Sequence, residues 1–160
     1  MKLKHLVIMC FVGTATLMAA PVSNDQTVMI DRSDSNPEVL DAYMELKDAL
    51  VATDHEAAQT AAKTLKKMAL KAKQTAIAKQ AGKVAAASTI KEQRELFETI
   101  SEAVLELCQT EGTETTVYHQ YCPMAFGNKG ASWLSYSKEI RNPYFGNMML
   151  KCGMVKAEIK

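Results

Sequence analysis

At Gly112 the spacing of apolar residues switches from the 3.6 of a helix to the 2 of a strand, which divides the chain into a helical part and a short β part. Before the switch, Phe97, Ile100, Val104 and Leu107 recur at intervals of 3, 4 and 3. After it, Thr115 to Cys122 alternates, with Val117, His119 and Tyr121 on one side and Tyr118, Gln120 and Cys122 on the other. The chain closes on a second alternation, Val155, Ala157 and Ile159 against Lys156 and Glu158. Paired antiparallel, these strands bring Cys122, at the end of one, beside Cys152, at the start of the other, and the connection from Pro123 to Lys151 forms a lid around that spot.

The helical part carries its own punctuation. Asn36-Pro37 puts proline where a first turn tolerates it, and Val39, Tyr43, Leu46 and Leu50 follow along one face. Thr53-Asp-His-Glu56 has the form of a capping box and predicts the next helix, facing inward with Ala58, Ala61 or Ala62, Leu65, Met68 or Ala69, and Ala72. From Lys73 to Ser88 the chain is rich in Ala, Lys and Gln around Gly82, with little apolar area beyond Ile77 and Val84, so a broken helical stretch outside the core is expected. Thr89-Ile-Lys-Glu92 is a second capping box and opens the helix of Phe97 to Leu107, which should end near Gln109. The fold class is mainly α: an up-and-down bundle of three main helices over 37–110, with a small C-terminal β-hairpin and long loop over 115–160, together one domain.

Residues 1–20 read as a signal peptide, with Lys2 and Lys4 ahead of an apolar run from Leu6 to Leu17 and the small pair Ala19-Ala20. The run is too short to span a bilayer. A flexible lead-in, 21–36, would follow, and the product would be periplasmic, with no membrane insertion after cleavage. Removing 20 of 160 residues leaves 140, and removing two lysines takes the charge from 19 − 18 = +1 to 17 − 18 = −1. A nearly neutral chain gives no electrostatic reason to expect nucleic acid or an anionic membrane as partner. Of the three mature cysteines, Cys108 lies along the helical stripe and reads as an inert buried thiol.

The remaining two stand among soft ligands. Cys122, Met124, Met148, Met149 and Cys152, with His119 nearby, gather thiols and thioethers at both ends of one loop, the donor set that selects Cu(I) or Ag(I) over hard cations. Cys122 and Cys152 read equally well as a structural disulfide closing a 31-residue loop, worth about 3 to 4 kcal/mol on a loop-entropy model. The methionines serve as core filler in the blander reading, and His119 as a hydrogen-bonded structural residue. A nucleophilic pair of Cys122 and His119 is disfavoured, since three residues of strand point them apart, and no carboxylate couple stands out; we expect no enzyme.

Tyr121-Cys-Pro-Met-Ala125, Gly130-Ala-Ser-Trp-Leu-Ser135, Ile140-Arg-Asn-Pro-Tyr144-Phe-Gly146 and Met149-Leu-Lys-Cys-Gly153 together resemble an uncharacterised envelope domain, and the likeness extends through the helical part from about Leu40 to Leu107. That domain family occurs alone or fused to the CusB-type periplasmic adaptors of copper/silver efflux systems. The resemblance implies association with such efflux. The first expectation is a periplasmic Cu(I)/Ag(I)-binding protein that buffers metal or delivers it to an efflux adaptor or another envelope protein. Its ligands would be Cys122, Met124, Met149 and Cys152, with His119 peripheral. The alternative, without metal, is a disulfide-stapled interaction module whose aromatic residues Trp133, Tyr136, Tyr144 and Phe145 dock a partner protein.

Overall fold

A computed structural model describes residues 36–160; the expected signal peptide and all but the last residue of the lead-in lie outside the described residues. Four helices come first: α1 (Asn36–Ala52), α2 (His55–Lys71), α3 (Thr75–Ala86) and α4 (Ile90–Glu111). Successive helices are neighbours, α1 on α2, α2 on α3 and α3 on α4, as short connections require of an up-and-down bundle. Three strands follow, β1 (Val117–Cys122), β2 (Ala131–Ser135) and β3 (Met154–Ile159), in an antiparallel sheet of order β2-β1-β3. No helix among the described residues is long and apolar enough to cross a membrane.

The fold is mainly helical with a small C-terminal sheet, as expected, but the bundle holds one more helix and the sheet one more strand than the sequence patterns announce. The 73–88 stretch is no frayed segment: α3 buries Ile77, Ala78, Ala81 and Val84. Its small side chains suffice because α2, against which it packs, also buries mostly alanine (Ala58, Ala61, Ala62 and Ala69), and small residues on both helices allow their backbones to approach closely. The extra strand, β2, lies inside the expected lid. Ala131, Trp133, Leu134 and Ser135 are all buried, so the strand is covered on both faces and shows none of the alternation that betrays a half-exposed one.

Helix boundaries follow local chemistry. The second helix begins two residues after Thr53, and its cap is Asp54, whose carboxylate accepts from the Ala57 amide at 2.9 Å. Thr53 has φ +60° and gives its hydroxyl to a different contact, with the Arg94 guanidinium at 2.9 Å. Thr89 does cap α4, accepting from Glu92 N, and Glu92 reaches back to the Ser88 amide. Gly112, at φ +77°, ends α4 two residues beyond the expected Gln109.

Aromatic packing and two tyrosine hydroxyls fasten sheet to bundle. Tyr43 of α1 stacks on Phe97 of α4 with centroids 5.2 Å apart, and Tyr144 packs between Phe97 and Trp133 of β2. The Leu134 amide donates to Tyr43 Oη at 3.0 Å, Tyr43 Oη meets Ser101 Oγ at 2.8 Å, and Tyr144 Oη donates to the Ser132 carbonyl. Ser132 and Leu134 belong to an edge strand, so these hydroxyls satisfy backbone groups that β1 does not reach.

Candidate functional site

The register of β1 with β3 determines where the cysteines meet. Val117 pairs with Ile159, His119 with Ala157 and Tyr121 with Met154, while Lys156 is skipped in a bulge between His119 and Gln120. Cys122 therefore ends β1 just where the chain enters β3, and its Sγ lies 2.8 Å from that of Cys152. Neither is covalently bonded; Cys122 is fully buried and Cys152 partly so.

Asn142 and Gly153 hold Cys152 in place. The fully buried Asn142 side chain donates to the Cys152 carbonyl at 2.8 Å and accepts from the amides of Tyr144 and Phe145, so one amide group organises both sides of the loop. Backbone bonds add to it, Asn142 N to Leu150 O at 2.8 Å and Cys152 N to Met149 O at 3.0 Å. Gly153 takes φ +145°, and a Cβ there would stand 2.8 Å from Trp133 Cη2 and 3.1 Å from the Tyr121 carbonyl. Only glycine lets the chain cross the indole this closely on its way into β3. In sequence, Asn142 before Pro143 has the composition of a turn, and a polar residue before proline gives no hint that it will be buried.

The structure brings together part of the expected ligand set. Cys122 and Cys152 are in contact. Met124 follows Cys122 by two residues and is 49% exposed; Met149, three residues before Cys152, is partly buried; Met148 and Met154 are exposed. His119 is not brought to the cysteines. Three residues from Cys122 along a strand, it faces the other side of the sheet, where its Nε2 pairs with Ser132 Oγ at 2.8 Å. Burial first, and Lys156 second, hold its pKa below the usual imidazole value, so it is a neutral, hydrogen-bonded residue. Among the described residues no three of His, Cys, Asp and Glu form a group able to hold a metal ion.

The hydrogen bond to Cys122 is the first cause raising the Cys152 thiol above its ordinary pKa, with desolvation and the charge of a second thiolate adding to it. Two sulfurs this close share a proton more readily than they lose both. Cys108, by contrast, is buried in α4, and desolvation followed by Glu111 pushes its thiol up to about 11; it is the inert thiol expected. The expected docking aromatics are mostly internal: Trp133 is 1% and Tyr144 6% exposed, while Tyr136, though outside, is tied to Asp41 by a 2.6 Å hydrogen bond.

Comparison with curated proteins and with solved structures gives no match. A family model does match, over the helical bundle and up to the residue before β1, so that the cysteine pair lies outside the matched segment. The matching model, over residues 39–116, is that of DUF3347, described as a protein of unknown function.

Proposed function

We propose that the chain is an exported, periplasmic interaction module whose C-terminal element is stapled by a Cys122–Cys152 disulfide, with no resident metal. The observation that carries this reading is the 2.8 Å between the two sulfurs. A disulfide needs them at about 2.05 Å, a closure of less than about 1 Å. One soft cation held linearly between two thiolates needs them roughly 4.5 Å apart, taking metal–sulfur bonds of about 2.3 Å, and so an opening of more than about 1.5 Å. In an oxidising compartment the two thiols would lose two protons and two electrons by exchange with a disulfide oxidant.

The test is alkylation of protein isolated from its own cells, with and without prior reduction, read by intact mass. We expect one alkylated thiol, Cys108, on the denatured unreduced mature chain and three after reduction. Three alkylated thiols without reductant would remove the staple.

A second reading keeps Cu(I) or Ag(I), buffered or passed to an efflux adaptor. What favours it is the exposure of Met124, Met148 and Met154 within a few residues of the pair, where thioether sulfur would add to the thiolates. On this reading Cys122, Met124, Met149 and Cys152 bind the ion, and His119 does not contribute from its own face of the sheet. Reduced wild type should then compete with a Cu(I) chelator far better than a Cys122→Ser/Cys152→Ser variant, and equal competition would exclude it.

A further inference from the structure

The near-zero net charge conceals a strong separation of charge. Between Ala57 and Ile90 the chain has seven lysines and no Asp or Glu. Four of them, Lys63, Lys66, Lys67 and Lys71, follow one another at spacings of 3, 1 and 4 along α2, on the side opposite its buried Ala58, Ala62, Leu65 and Ala69. Lys79 and Lys83 form the matching outer row of α3, and Lys73 sits in the turn between the helices. All seven are exposed. Lys71 pairs with Glu38 at 2.9 Å, whereas the other six have no ion pair with a described residue. One exposed acid, Glu56, stands in the first turn of α2; the others lie elsewhere, Glu92, Glu95, Glu102 and Glu106 on the outer side of α4 and Asp41, Glu45 and Asp48 on α1.

The two lysine rows form one surface. The Lys66 side chain crosses from α2 to α3, and its Nζ lies 3.7 Å from where a Cβ on Gly82 would stand, beside Lys83 in sequence. Leu70, 55% exposed, falls within the α2 row, between the lysines rather than toward the core. Two adjacent helices thus present a lysine field with one large apolar side chain in it.

We propose that this α2–α3 face binds the surface of an anionic phospholipid bilayer, the lysines in the headgroup layer and Leu70 reaching below it, without any segment spanning the membrane. The chemistry of the face selects this partner over other polyanions. It has no arginine to make bidentate, directional bonds and no aromatic to anchor a protein pocket or stack a base, and lysine is depleted from protein–protein interfaces. Flexible ammonium groups need only a diffuse, laterally extended negative layer, and juxtamembrane lysines gain from one without fixed register. The acidic sides of α4 and α1 would be repelled by the same layer, so one orientation is favoured. This goes beyond the cysteine chemistry and does not depend on it.

Vesicle co-sedimentation tests the proposal. The wild-type chain should pellet with vesicles containing phosphatidylglycerol at low salt, remain in solution with phosphatidylcholine alone, and be released from the former by about 0.5 M NaCl. Lys66→Gln/Lys67→Gln/Lys79→Gln/Lys83→Gln, four exposed changes that leave the helical circular dichroism signal in place, should weaken partitioning at least about tenfold. Leu70→Ser should weaken it by a smaller factor and leave its salt dependence unchanged. Equal partitioning onto both kinds of vesicle, or wild-type partitioning by the quadruple variant, would overturn the proposal. So would wild type that pellets with neither, in which case an acidic protein surface becomes the partner to seek.

Discussion

Leu65 and Ile100 are fully buried at the middle of α2 and α4, while Lys66, next to Leu65, is exposed. Leu65→Ala or Ile100→Ala should cost about 2 to 5 kcal/mol, the range for a large buried aliphatic cut to a methyl. Lys66→Ala should stay within about 0.5 kcal/mol. Urea melts decide it, and equal losses would mean the helix faces are misassigned. Side chains of this kind were legible from spacing alone, because an apolar residue at helical period has one place to go. Arg94 was not. It is 7% exposed and, with no carboxylate partner among its bonds, donates to the Pro143 carbonyl at 2.8 Å, the Leu50 carbonyl at 2.9 Å and Thr53 Oγ1 at 2.9 Å. Desolvation lowers its pKa, yet a guanidinium so hydrogen-bonded stays charged. Its neighbours in sequence suggest a solvated charged row, and only the fold reveals two backbone carbonyls and a hydroxyl, from the end of α1 and from the loop at Pro143, converging on it.

At the scale of elements, the same contrast separates patterned pieces from unpatterned ones. α1, α2 and α4 show one apolar face each and were legible. α3 and β2 were not, α3 because small residues bury little area each and β2 because burial on both faces erases alternation. The meeting of Cys122 with Cys152 was also legible, since two alternating runs fix a register; the separation of His119 followed from the same period of two. The start of α2 supplies a test. Asp54→Ala should destabilise by about 1 kcal/mol, whereas Asp54→Asn, which keeps an oxygen for the Ala57 amide, should lose only a fraction of that. Indistinguishable melts for the two variants would show that the cap contributes nothing.

The molecule as a whole buries several weak acids in their neutral forms. Burial pushes Cys108 up to about 11 from an ordinary 9.0, and raises Tyr43 and Tyr144 well above the usual phenol value. Each such group binds its proton more tightly folded than unfolded, so its contribution is fully present below the unfolded pKa and is lost as pH climbs through the folded one. Thermal midpoints should therefore fall as pH rises from about 9 toward 11, and Cys108→Ala should flatten part of that slope; a midpoint constant over the range would contradict it. The two tyrosines have another consequence, for the order of events in folding. Tyr43 closes the rim of β2 from 91 residues away, so that rim is sealed only after α1 has docked on a sheet synthesised well after it. Until then the newborn sheet exposes two sticky margins, β2 and β3, and the interval before docking is when copies of this chain are most apt to clump.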